Sequence, residues 1–243
     1  MSIIRVDNLI QPKYTSLLAP TPMEFPLQTK SKSQRPASGR LKMPKALVRI
    51  GPSDHGRRMS LEDFDEAEVQ PGYIYELSRG TIIVSDVPNA DHFMMVSEAR
   101  RQFGEYDRAR PGEIFAIAGS GECKVLLAEF QSERHPDLAV YMTPPPGAGN
   151  VWSMWVPEVV IEVISSGSRH RDYLEKPTEY LQFGIKEYWI LDAEKKKMVI
   201  LKRVGGQWSE KTIKPPKIYK PGLLPGLEFS CKNVFEAADA VGG

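Results

Sequence analysis

The stretch PDLAVYMTPPPGAGNVWSMWVPEVVIEVIS, residues 136–165, decides the fold, because it holds two apolar runs that read as strands, 136–142 and 157–165, joined by a Pro- and Gly-rich loop. Each run carries an acid: Asp137 at the start of the first and Glu162 inside the second. The second run is so uniformly apolar that its strand is expected to be buried on both faces. An ionised carboxylate taken out of water without a partner is strongly disfavoured, so Glu162 needs a compensating charge. A divalent cation such as Mg²⁺ or Mn²⁺, which takes hard oxygen ligands, would satisfy both acids; a buried Lys or Arg would satisfy one.

Working outward, YIYELSRGTIIVS (73–85) reads as a hairpin that turns across Ser78, Arg79 and Gly80, with Glu76 in its first strand. From 90 to 106 the residues Phe93, Val96, Ala99 and Phe103 recur at roughly helical spacing, which predicts an amphipathic helix that begins near His92. EIFAIAG (113–119) and CKVLLAEF (123–130) are further expected strands. After Ser168 the polar run RHRDYLEKPTEYLQF leads to Gly184, a helix-terminating residue, and Pro177 suits that helix's first turn or kinks it. EYWILDA (187–193) and KMVILKR (197–203) predict a second hairpin, Gly205 and Gly206 a turn into QWSEKTIK, and a short helix is expected around 234–240. Strands on both sides of single helices imply an α/β fold: a central mixed β-sheet flanked by helices.

Charge divides the chain. Residues 1–58 hold 11 Lys and Arg against 3 Asp and Glu, a net of +8; the remainder holds 21 against 28, a net of −7. The first 58 residues, rich in Pro, Ser and Lys and without period, are expected to form an irregular basic extension, and 59–243 the domain. The extension reads either as a solvated linker or as a nonspecific grip on a polyanion. SLED at 60–63 has the form of a capping box and predicts a short acidic helix to about residue 68. No apolar run approaches the roughly 20 residues needed to span a bilayer and no secretory signal is evident, so a cytoplasmic protein without membrane contact is expected. The two cysteines, Cys123 and Cys231, offer neither a disulfide framework nor a zinc module.

The order MSLEDFDEAE, YELSRG, a helix entered through His92, HPDLAV, VVIEVISSGSRHRD, EK, EYLQFGIKEYWILD and LPGLEF resembles the Uma family of putative restriction endonucleases, a branch of the PD-(D/E)XK nuclease superfamily, over roughly residues 59–236. The resemblance implies a restriction-endonuclease-like core and a Mg²⁺- or Mn²⁺-dependent endonuclease acting on nucleic acid, DNA before RNA, with a homodimer as one arrangement. It implies Asp137, Glu162 and the main-chain carbonyl of Val163 as metal ligands, Glu76 as a third acid, and Lys176 as the catalytic lysine. In the superfamily's signature that lysine stands two residues after the acid, where this chain has Ile164. A helix beside the strand would have to aim Lys176 at the same place. His92, Arg169 and Arg171 are candidates for contact with substrate phosphate.

Three departures stand out: SSGS at 165–168 where the family usually has SPST, Pro177 directly after Lys176, and Thr81 where members often carry an acid. Two other readings remain open at this stage. One is a noncatalytic interaction module in which Glu162 and Lys176 are a structural pair; the other is a hydrolase of small phosphodiesters.

Overall fold

The computed structural model describes residues 47–165 and 167–239; the extension expected over 1–58 lies outside the described residues up to position 46. The described chain opens with β1 (Arg49–Ile50), α1 (Leu61–Asp65), β2 (Glu68–Val69), β3 (Tyr73–Ser78), β4 (Thr81–Asp86) and α2 (Ala90–Ala109). Then come β5 (Ala116–Gly119), β6 (Val125–Leu127), β7 (Ser132–Arg134), β8 (Leu138–Tyr141), α3 (Val151–Met154) and β9 (Val159–Val163). The C-terminal part contains α4 (Lys176–Phe183), β10 (Glu187–Asp192), β11 (Lys197–Val204), β12 (Gln207–Ile213), β13 (Ile218–Tyr219), β14 (Phe229–Ser230) and α5 (Cys231–Asp239).

A six-stranded mixed sheet runs β12-β11-β10-β9-β8-β5, and a four-stranded sheet runs β4-β3-β7-β6. β9 is parallel to β10, which requires a crossover, and α4 supplies it; β8 on the other side of β9 is antiparallel. All five residues of β9 are buried, as its apolar composition predicts. Val159, Ile161 and Val163 join the core that contains Ala99 and Phe103 of α2 and Val234 and Phe235 of α5. Val160 and Ile164 face the other way, into a core with Tyr180 of α4, Tyr188 and Ile190. Glu162 shares this second face, because strand side chains alternate.

The β3–β4 hairpin turns on Arg79 and Gly80, at φ 50° and 73°, with Ser78 opposite Thr81. Both positive φ values match the turn that follows the right-handed twist of paired strands. Ser60 Oγ accepts from the Asp63 N–H at 3.1 Å, as SLED predicts, but α1 ends at Asp65 and Glu68 pairs with Arg49 of β1 instead of extending the helix. The run 123–130 is not one strand. β6 covers three residues, a 3₁₀ turn follows, and Gln131 at φ 51° reverses the chain into β7, which β6 pairs with. β7 escapes a hydrophobic pattern because its buried residues are Ser132, Glu133 and Arg134.

The helix after Ser168 opens with a π-helical segment, Arg171–Glu175, in which the Lys176 N–H bonds back to the Arg171 carbonyl. Pro177 has no N–H to give and its ring crowds the preceding turn, and a widened turn accommodates both defects. Gly184 ends α4 at φ 107°. Both cysteines are free and buried, and no helix among the described residues is long and apolar enough to cross a membrane.

The fully buried Arg134 ties β7 to α4. Its Nε donates to Glu179 Oε2 at 2.8 Å, and its Nη2 donates to Glu179 Oε1 at 3.0 Å and to Ser78 Oγ at 2.8 Å. Removing one partner of a buried pair strands the other. Arg134→Ala should lower the unfolding free energy measured in urea by roughly 3–5 kcal/mol. Arg49→Ala, which breaks a largely exposed pair with Glu68, should change it by about 1 kcal/mol or less.

Candidate active site

Leu138 of β8 stands opposite Ile161 of β9, and continuing that register by one residue sets Asp137 across from Glu162. Directly opposed residues share a face of the sheet, with Cβ atoms about 4.5–5.5 Å apart. Asp137 Oδ2 accepts the Val163 N–H at 2.8 Å, and His92 Nε2 lies 3.1 Å from Asp137 Oδ1. The Val163 N–H and carbonyl point to the same edge of the strand, so that carbonyl also faces Asp137.

From the α4 side, Lys176 Nζ reaches Glu162 Oε1 at 2.9 Å and Asp172 Oδ1 at 2.8 Å, and it lies 3.9 Å from Glu76 Oε1. Tyr180 donates its hydroxyl proton to the same Glu162 oxygen at 2.9 Å. Glu76 Oε1 accepts the His135 N–H at 3.2 Å, while its Oε2 is 3.7 Å from Arg134 Nη1. Glu76, His92, Asp137, Glu162, Val163, Arg171, Asp172 and Lys176 line a single cavity of about 110 Å³.

Three acids gather round Lys176, with Asp137 opposite Glu162, and the proton affinities of Glu162 and Glu76 diverge. Burial, reinforced by Asp137, Asp172 and Glu76, outweighs the attraction of Lys176 and pushes the Glu162 carboxyl up to about 8. Burial acts in the same direction on Glu76. There the charges of Lys176, Arg134 and Arg171 and the His135 N–H win, holding it at about 2. Burial would lower Lys176, but Asp172, Glu162 and Glu76 together raise it, so it stays a cation at any physiological pH. His92 is also raised, because contact with Asp137 overcomes its burial. Of the two carboxyls, Glu162 is thus the one whose proton affinity is raised, while Glu76 beside it keeps its charge.

Of the residues singled out in the sequence, Asp137, Glu162, Val163, Lys176, Glu76, His92 and Arg171 meet at this cavity. Two of the expected site residues are engaged otherwise. Arg169 turns away to hold the buried Asp192 at 2.8 Å and Glu194 at 2.6 Å. Glu76 lines the cavity but is held by His135, Arg134 and Lys176, and among the described residues no three His, Cys, Asp or Glu side chains form a metal-holding group by themselves. Thr81 sits at the hairpin turn and accepts from Arg58 Nη1 at 3.0 Å. Sequence reasoning missed Asp172, Tyr180 and Arg134. For Asp172 and Tyr180 a signal existed, a spacing of four residues from Lys176 on either side along the helix; Arg134 left none.

Residues 61–232 match the model of a family described as "Uma2: Putative restriction endonuclease". The chain belongs to the Uma2 family. A crystal structure described as that of a putative nuclease belonging to DUF820 from Anabaena variabilis ATCC 29413 is similar to this Uma2 chain at 18% sequence identity. Its TM-score is 0.60, over 74% of this chain and 99% of the other. At that identity the likeness is one of fold, and it agrees with the restriction-endonuclease-like α/β core. No curated protein sequence matches the chain.

The donors present in this Uma2 chain fit a hard cation that keeps several waters and takes only one or two carboxylates from the protein, with Asp137, Glu162 and the Val163 carbonyl as the protein's share. Glu162's proton must leave for such a cation to bind. The same proton makes stability depend on pH. The folded chain holds it up to about pH 8, whereas an unfolded glutamate releases it near 4.5, so the group's contribution is full below pH 4.5 and is lost as pH rises to 8. Urea midpoints should therefore fall more steeply across this window for the parent chain than for Glu162→Gln. Calorimetry should also show Mn²⁺ binding that tightens from pH 6.5 to 8.5.

Proposed function

We propose that this Uma2 chain is a Mg²⁺- or Mn²⁺-dependent endonuclease that hydrolyses phosphodiester bonds of DNA. The observation that carries this reading is the opposition of Asp137 and Glu162 across β8 and β9, with Lys176 Nζ 2.9 Å from Glu162. Family membership supports the reaction class. Asp137, Glu162 and the Val163 carbonyl would hold the cation, which when bound supplies positive charge beside the phosphate and acidifies a water. His92 keeps Asp137 aimed and offers a proton-bearing ring toward a phosphate oxygen. Lys176, anchored by Asp172, places ammonium N–H groups where negative charge grows on the phosphoryl oxygens. Arg171, at the rim of the cavity, would meet an adjacent phosphate. The +8 of residues 1–58 supplies counter-charge that the −7 of the domain lacks, so the extension serves as the arm that holds the polyanion.

A second reading, a noncatalytic interaction module, draws on one observation: Glu162 already has Lys176 and Tyr180 as partners and needs no cation for its own sake. Plasmid nicking with Mg²⁺, Mn²⁺ or EDTA separates the two. The expected outcome is cutting that needs the cation, disappears in Asp137→Ala and Glu162→Ala, and falls about 10²–10³-fold in Lys176→Gln. Absence of both cutting and Mn²⁺ uptake by the folded parent chain would establish the module instead.

A further inference from the structure

Four of the ten large apolar side chains exposed among the described residues, Val69, Tyr73, Val87 and Phe93, line one groove of about 720 Å³. The groove shares His92, Ser120, His135 and Asp137 with the small acidic cavity, so its apolar walls open directly onto the carboxylates. Its cationic side chains are already neutralised. Arg100 pairs with Glu122 at 2.8 Å, and Lys124 pairs with Asp65 and with Glu133.

A surface that follows a duplex needs free Lys and Arg for successive phosphates, and this groove offers none. Its makeup suits a flat apolar group attached to one phosphate, and its volume lies within the roughly 300–1,000 Å³ of small-ligand sites. Tyr73 enters from β3 and Phe93 from α2. Phe93, His92 and Asp137 line the same groove, which sets a base lying on the Phe93 ring beside the groups that would meet its phosphate. Of the other aromatic side chains, Tyr188 and Trp189 are buried and Trp155 stacks on Tyr141 at 3.9 Å between ring centroids, while Tyr73 meets Tyr75 only edge-on at 6.4 Å.

We propose that this groove is a base-stacking subsite, in which Tyr73 and Phe93 receive an unpaired base of single-stranded DNA beside the phosphate to be cut. The proposal rests on the nuclease reading for the cut and on the groove alone for the base. Stacking tolerates any base, since each has a π-face, so the subsite selects for unpaired strand and not for sequence.

The test is binding of the full-length chain in EDTA and in Ca²⁺ to an oligonucleotide that carries one 2-aminopurine, alone or annealed to its complement. The expected result is tighter binding of the single strand with quenched fluorescence. Phe93→Ala and Tyr73→Ala should each weaken that binding about fivefold or more and relieve the quench, while duplex affinity and Mn²⁺ uptake stay as in the parent. Phe93 is 62% exposed, so its truncation leaves the fold intact. No quench, or equal losses for single strand and duplex, would overturn the subsite, and metal-dependent nicking lost in Asp137→Ala would then still uphold the nuclease. Quenching without metal-dependent cutting of either the plasmid or the single-stranded oligonucleotide would keep the subsite and remove the nuclease.

Discussion

A lysine ammonium held inside the protein between Glu162 and Asp172, 2.9 and 2.8 Å away, is the interaction round which this molecule is arranged. The ammonium could not be buried without the acids round it, and its attraction offsets part of the cost of burying them. It joins the central strand of the six-stranded sheet to the helix that crosses from β9 to β10. Through Glu76 at 3.9 Å and Arg134 beyond, the same electrostatic chain continues to the four-stranded sheet. The network contributes little net stability for its size, since each charge lost its water to enter it. What it contributes is position: carboxylates from β3, from the residue before β8, from β9 and from the helix are held round one cavity, three of them against the single ammonium of Lys176.

That imbalance has a chemical meaning. Among four acids, the carboxyl of Glu76 is held at about 2 and that of Glu162 at about 8, although both are buried and both face Lys176. The difference lies in the second cation. Glu76 also has Arg134, whereas Glu162 has Asp137 and Asp172 for neighbours. Environments that drive like groups apart in this way are the means by which one site both keeps a permanent charge and exchanges a proton or a cation.

The lysine reaches Glu162 from the helix and not from the strand that carries the acid. Two residues after Glu162, on the same face, stands Ile164, which packs with Tyr180 in an apolar core. The charge comes instead from the helix lying over that face. The π-helical segment 171–175 precedes Pro177, and the same stretch carries Asp172, which anchors the lysine. A residue that looks like a defect in the helix is thus accommodated directly beside the lysine of the ion pair.

Much of this was written in local pattern. The buried β9, the hairpins β3–β4 and β10–β11, the turn at Gly205 and Gly206 and the end of α4 at Gly184 follow from apolar runs and from residues that favour particular backbone angles, properties of a few neighbouring residues. Asp137 and Glu162 were legible for the same reason, since an acid in an apolar strand is anomalous wherever the strand lies. β7 was not legible: Ser132 and Arg134 are held by partners 45 or more residues away, such as Glu179, and Glu133 by Lys124 and His135. Arg169 and Arg171 are two residues apart and alike in chemistry, yet one is held by Asp192 and the other lines the cavity. The sequence by itself determined which segments become strands and which acids stand out. Which charge meets which acid, and hence which carboxyl keeps its proton, was decided by the tertiary structure, because Coulomb interactions depend on distance through the folded protein and not on separation along the chain.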